Sequence, residues 1–496
     1  MRGDLCTRRV KTASGKTAVQ VVRYVGKKRE IIKHVGSADI KEELLALEAA
    51  AIRYIEEHRL QLPLLRDAPR LIDLDRTQLS SVTHRFAREK LDALASLCGL
   101  SFLHPLYRDL AYMRLIEPSS KLRAIELIER HFGVHYAERT VYRLLKQFIE
   151  EKADIERVAS ALTPRHSCAM LLYDVTTLYF ETHAEDDTLR ARGFSKDNKM
   201  QQPQIVVGLL VSSDGCPLRH DVWKGNTFEG HTMLPVLDAY AKEHKEKPIV
   251  VADAAMLSRE NVKKLEDGGY SYIVGARLAN LPPALIERIE TELSKRDGEI
   301  LRLSTDRGDL IVGFSLKRYR KDKGDMERQW KRAEAFVERS EPGKRAKFVR
   351  KEEGRYLLDE DLKRKTERLC GIKGYHTNIP EATLSSASVI EKYRELWRVE
   401  SSFRMAKSDL ATRPIFHRVE DAVRSHVLLC FVSLVLLSYI ERSTGFSPRR
   451  IRDILWNVSE AHLLDTLTGE IHILQSSLDE YHESGLSTLL GESKTH

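Results

Sequence analysis

The stretch AMLLYDVTTLYF, residues 169–180, sets the fold class of this chain. Its apolar, β-branched and aromatic residues run without alternation, which is the profile of a central strand buried on both faces. Asp174 stands in the middle of that run. An ionised carboxylate there is costly unless something compensates it. Either neighbours such as Thr176 and Thr177 hydrogen-bond it, or it holds a cation.

Working downstream, PQIVVGLLVSSDGCPLRHDVWKG (203–225) reads as a hairpin turning at Ser213 to Gly215. HTMLPVLDAYAKEH (231–244) is helical, and KPIVVADAAM (247–256) is a second buried strand with Asp253 at its carboxyl end. SRENVKKLEDGG is a helix closed by Gly268 and Gly269, followed by the strand YSYIVGA. The order β-β-β-α-β-α-β is that of an RNase H-like domain. Ligands of open α/β sheets collect at strand carboxyl ends, where Asp253 lies.

The pattern changes between 277 and 388. Short strands in EILRLSTDRGDLIVGFSL, a basic run, a strand pair around AKFVRKEEGRYLLD and the strand in LCGIKGYHTNI predict an insertion into the catalytic domain. Within 317–351 there are 14 Lys/Arg against 6 Asp/Glu, an excess of 8 that equals the whole chain's 81 − 73. The other residues are therefore neutral in sum. A concentrated basic segment points to a polyanion, whose counterions it would release, although a solvated helix face has the same composition.

Beyond the insertion, VIEKYRELWRVESSFRMAK predicts one helix over 389–407. Tyr393, Glu400 and Lys407 are seven apart and so share one face, with Arg398 and Arg404 nearby. Asp174, Asp253 and Glu400 then supply three oxygen donors from a strand, a strand end and a helix. None of His183, His220, His231 and His417 stands in an HxxxH or HExxH spacing, so they default to ordinary histidines, and Gly225 to Gly230 lacks the GxxxxGK[ST] pattern of a nucleotide loop.

Upstream, KTAVQVVRYVGKKREIIKHVG (16–36) alternates as a small antiparallel sheet, and IKEELLALEAAAIRYIEEH (40–58) is helical. IERHFGVHYAERTVYRLLKQF (128–148) has the outline of a helix-turn-helix, with Arg139, Arg143 and Lys146 on the second helix. The expected division is 1–40 small β segment, 41–165 helical DNA-binding region, 166–276 and 389–445 catalytic domain, 277–388 insertion, and 446–496 helical tail.

Composition is that of a globular protein, at 496 residues with 42% hydrophobic and 31% charged. The six cysteines are scattered singly, as in a reducing cytoplasm. No signal peptide is indicated, and VLLCFVSLVLLSYI (427–440) is too short for a membrane span, so a buried core helix is expected.

These features together resemble the DDE transposases of bacterial and archaeal insertion sequences, in the insertion sequence four superfamily. Its marks here are the three acidic segments, the long gap before the third, and the Tyr-x6-Glu-x6-Lys helix. RGFSKDNK around Ser195, WKGNTFEGHTM around Asn226, GYHTNI around Asn378 and RPIFHR around Arg413 add to them. One position departs from the pattern: Leu396 stands where the family has an arginine.

The resemblance implies catalytic and metal-binding roles for Asp174, Asp253 and Glu400, with two Mg²⁺ or Mn²⁺ ions about 3.5 to 4 Å apart. It implies DNA contacts from Tyr393, Arg398, Arg404 and Lys407. The partners implied are terminal inverted repeats and target DNA, met by a homodimer on the nucleoid, with no membrane. A stand-alone metal nuclease and a non-catalytic DNA-binding descendant are the alternatives.

Overall fold

The computed structural model describes residues 5–13, 15–25, 28–57, 74–182, 184–186, 188–194, 201–244, 247–256, 258–306, 308–339, 346–352 and 355–491. His183, residues 195–199 of the string around Ser195 and the basic residues Lys344 and Arg345 lie outside them.

Two compact units are formed. The first comprises Met1–Val82 and Ala461–Gln475. Strands Leu5–Lys11, Thr17–Val25 and Lys28–Ala38 make an antiparallel sheet whose Val19 and Val21 pack with Ala51 and Ile55 of the helix Lys41–Glu57. A second sheet contains Thr77–Thr83, Glu460–Asp465 and Ile471–Gln475. Residues 77–83 and 460–475 were expected to be helical, in the helical region and the tail. Gly469, at φ +74°, closes a turn that returns the chain as a hairpin, and strand pairing outweighs the weak local helix preference.

The second unit comprises Thr83–Glu460 and Ser476–His496. It opens with helices, among them α1 (Pro105–Ile116), α2 (Lys121–Phe132) and α3 (Glu138–Gln147). Ser120 caps α2 by accepting from the Arg123 N–H at 3.2 Å, and Gly133 ends it at φ +69°. Only Val141 and Leu145 of α3 are buried, which leaves Arg139, Arg143 and Lys146 exposed.

The centre is one mixed sheet of eight strands. In chain order they are β1 (Met170–Tyr179), β2 (Gln204–Ser212), β3 (Pro217–Lys224), β4 (Ile249–Ala252), β5 (Ser271–Ala276), β6 (Ile300–Thr305), β7 (Gly308–Phe314) and β8 (Ile372–Thr377). Across the sheet the order is β6-β7-β8-β5-β4-β1-β2-β3. Strands β1, β4 and β5 run parallel, as the helical crossovers Met233–Glu243 and Arg259–Asp267 require, and the remaining pairs are antiparallel. The run 169–180 is the central strand expected of it, buried on both faces except at Asp174 and Tyr179.

The region 277–388, expected as an insertion into the catalytic domain, contributes β6, β7 and β8 to this same sheet. Apolar Leu310, Ile311 and Val312 of β7 are fully buried, as suits a strand that lies inside the sheet between β6 and β8 and is covered on both faces. What leaves the sheet is α4 (Leu316–Arg339), the hairpin of Val349–Glu352 with Arg355–Leu358, and the helix Glu360–Arg368. The basic run lies largely on α4, whose Met326, Trp330 and Ala333 pack with Phe348.

The expected single helix 389–407 is two: α5 (Ser386–Arg394) and α6 (Trp397–Ser408). The joint holds no proline or glycine. Instead Glu395, Leu396 and Arg398 donate to the carbonyls of Lys392, Tyr393 and Glu395, three residues back. This tighter winding rotates α6 relative to α5. Helix α7 (Glu420–Thr444) is long and apolar enough to cross a membrane, and 89% of its most apolar window is buried inside the protein, as expected of a core helix.

Candidate active site

The parallel register of β1 and β4 pairs Tyr173 with Ala252. Asp174 and Asp253 are the next residues on each chain, so they sit side by side at adjoining positions, on strands about 4.8 Å apart. Asp174 is half-buried and Asp253 exposed. Glu400 is exposed on the first turn of α6, which packs against β1.

Tyr393, expected to face a phosphate, is buried, and its hydroxyl donates to Asp253 Oδ1 at 3.3 Å. Burial, then the charge and hydrogen bond of Asp253, push the phenol well above its usual range, so it stays a donor at any physiological pH. Its fit depends on Gly275 of β5. A Cβ there would lie 2.6 Å from the Tyr393 hydroxyl oxygen and 3.2 Å from the Ala254 nitrogen. Tyr375 meets the Tyr393 ring edge-on, with centroids 4.8 Å apart.

Lys373 of β8 was not anticipated from the sequence, where a lone lysine in GIKGYH carries no spacing signal. Its Nζ stands 4.6 Å above the Tyr393 ring. Burial and Arg318 pull its ammonium below the usual range, while Asp253 and Glu400 favour the charged form. Lys373 thus feels both carboxylates. A cleft of about 430 Å³ between the sheet and α4 is lined by Asp253, Tyr393, Lys373, Arg318 and Gln329, among others. Gln329 Oε1 in that cleft is buried without a hydrogen-bond partner.

The remaining expected residues are distributed around this centre. Arg398 pairs with Glu395, and its guanidinium lies 5.0 Å from the Trp397 ring. Arg404 is exposed and donates to Ser401 at 3.0 Å. Lys407 is half-buried beside Phe403 and Thr176. Arg139, Arg143 and Lys146 belong to α3 and stand on its exposed side, on a different element from the carboxylates. Asn378 clamps β8 to β5, accepting from the Tyr272 N–H and donating to the Tyr270 carbonyl, both at 2.9 Å.

Among the described residues no three His, Cys, Asp or Glu side chains converge closely enough to hold one ion. The donors suit a hard divalent cation in type, being all carboxylate oxygens. Asp174 and Asp253 are neighbours through the sheet, and Glu400 is linked to Asp253 by the field at Lys373.

The transposase DDE domain family matches residues 170–436, from the first residue of β1 into α7. No curated protein sequence is similar to the chain. Among solved structures, the chain is similar to the piggyBac transposase of a cryo-EM synaptic complex with hairpin DNA, at 12% identity and a TM-score of 0.37, over 81% of this chain and 74% of that one. With more than half of its length matched, the chain belongs to the transposase DDE domain family.

Proposed function

We propose that this transposase serves a bacterial or archaeal insertion sequence of the insertion sequence four superfamily. It cuts DNA at the element's terminal inverted repeats and joins the freed 3′ ends to target DNA. Its working form is a homodimer in the cytoplasm, one active site per end, with an RNase H-like catalytic domain and a DNA-binding role for the helices before it. The observation that carries this reading is the placement of Asp174 and Asp253 on adjoining strand positions, with Glu400 on the helix packed against the same strand.

Asp174, Asp253 and Glu400 would hold Mg²⁺ or Mn²⁺, which would supply activation of an attacking oxygen and stabilisation of a leaving one. The chain's own contribution is orientation and charge. Tyr393 fixes the rotamer of Asp253 by its hydrogen bond, and Gly275 leaves room for that hydroxyl. Lys373 brings positive charge to the cleft beside Asp253, where a scissile phosphate would carry negative charge, and Arg318, paired with Asp322 at 3.3 Å, stands in the same lining. Arg139, Arg143 and Lys146, exposed on one side of α3, would lie along a duplex.

The test incubates the purified protein with Mg²⁺ or Mn²⁺ and a labelled fragment carrying the gene with both native flanks. Discrete breaks at two edges support the reading. Random nicking points instead to a nuclease, and retarded but uncut DNA to a binding protein.

A further inference from the structure

A second cavity, of about 310 Å³, lies where the amino end of α2 and the side of α3 meet the loop 409–418 that follows α6. Lys121, Arg114, Arg413, His417, His426 and Tyr142 line it, and among the described residues no Asp or Glu does. Lys121 and Arg114 are each only 5% exposed. Two buried cations facing one cavity without a lining carboxylate are unusual, because an uncompensated interior charge costs several kcal/mol by general estimates.

The hydrogen bonds show where the donors go. Arg114 gives its guanidinium to three carbonyls, those of Leu410 at 2.9 Å, Ala411 at 3.2 Å and Ser119 at 3.0 Å. These pin the loop, in which Ala411 adopts φ +43°, without neutralising the charge. His426 donates Nε2–H to the Thr412 carbonyl at 3.0 Å, which makes Nδ1 an acceptor. That nitrogen takes one bond from the Lys121 ammonium at 3.2 Å, and an ammonium has two more protons to give. Burial and the neighbouring Arg114 pull the ammonium down to about 7, and burial with Lys121 and Arg114 drives His417 to about 4. The 12-residue helix α2 adds the positive end of its dipole, with Ser119, Ser120 and Leu122 in the lining.

We propose that this cavity is a phosphate-binding site that receives a backbone phosphate of the DNA bound by α3. The assignment rests on the transposase reading and gives it a second anchor. Tyr142 brings α3, whose exposed side carries Arg139, Arg143 and Lys146, to the rim of the cavity. Loop 409–418 follows directly on the helix that holds Glu400. A phosphate seated here ties the DNA-reading helix to the catalytic helix. Free inorganic phosphate has the same chemistry, so the test separates the two sources.

Thermal unfolding of the full-length protein is followed in phosphate and in chloride at matched ionic strength. Binding to the flank fragment that the protein cuts is titrated against salt. The proteins are wild type, Lys121→Met, His417→Gln and, as a control, Asp174→Asn. Phosphate should raise the wild-type midpoint and leave Lys121→Met unmoved. Lys121→Met should weaken DNA binding on the order of tenfold and lower the salt slope by about one. Asp174→Asn should keep both properties and lose cleavage.

A phosphate shift abolished by Lys121→Met with unchanged DNA affinity and slope would assign the cavity to a free anion and overturn the DNA contact. Absence of any phosphate shift and of any change in DNA binding would overturn the site. Should Lys121→Met not fold, His417→Gln is read by the same criteria. Failure of wild type to cut any DNA would defeat the transposase reading, and the phosphate shift would still decide the cavity.

Discussion

Two buried charge clusters in the second unit are built in opposite ways. Glu156, 2% exposed, accepts from the Arg219 guanidinium at 3.1 Å and from the His220 backbone N–H at 3.2 Å, with Lys152 Nζ at 3.4 Å. Burial would raise its carboxyl, but hydrogen bonding from His220 and the charges of Lys152 and Arg219 hold it at about 2. Lys121 and Arg114 are nearly as deeply buried, yet among the described residues their cavity is lined by imidazoles, hydroxyls, carbonyls and the Arg413 guanidinium, with no carboxylate. With Glu243 on Arg219 at 2.7 Å and Asp221 on Lys152 at 3.5 Å, the first cluster has carboxylates for each of its cations and serves to join the helix Lys152–Ala161 to β3. The second leaves its charge to be balanced from outside, which is the mark of a receptor rather than a brace.

The contrast is broken most easily at Glu156. Glu156→Ala leaves Arg219 and Lys152 without their shared carboxylate and should destabilise the protein by about 3 to 5 kcal/mol in urea unfolding. A loss below about 1 kcal/mol would mean that the network is not structural.

The same cluster fixes a pH dependence. A carboxyl held below its unfolded value stabilises fully above the ordinary range near 4.5, and that contribution fades as pH falls from there toward about 2. Wild type should therefore lose its advantage over Glu156→Gln across that window. A constant difference from pH 6 to 2 would contradict the assignment.

The active centre should respond in rate rather than stability. Tyr393→Phe removes only the bond that orients Asp253, and Gly275→Ala crowds the hydroxyl that makes it. Each should slow cleavage roughly tenfold, with DNA affinity nearly unchanged. A matched fall in affinity would make Tyr393 a DNA contact instead. The smallest effect belongs to Lys121→Met without added anion, which should alter stability by less than about 1 kcal/mol or raise it. A loss as large as that of Glu156→Ala would erase the difference between the two clusters.

Legibility in the sequence followed the range of the interactions. The run 169–180 could be read because burial on both faces leaves an unalternated apolar string, and Asp174 interrupts it visibly. Asp253 followed from a second such strand. The placement of β6, β7 and β8 could not be read, since their strand character is local but their partner strands are not. The joint at Glu395 and Leu396 was hidden for a related reason: three-residue closure needs no proline or glycine and depends on what packs on either side. Lys121 reads as a surface lysine at a helix start. It is buried by a loop nearly 300 residues later, which Arg114 holds by its carbonyls.

The central claim is that Asp174, Asp253 and Glu400 form one catalytic centre. The most direct measurement compares wild type, Asp174→Asn, Asp253→Asn and Glu400→Gln for metal-dependent cleavage of the gene with its native flanks, alongside DNA retardation. All three variants should bind DNA as wild type does and lose the discrete end breaks. Cleavage that survives any one of them, at wild-type rate and position, would contradict the claim.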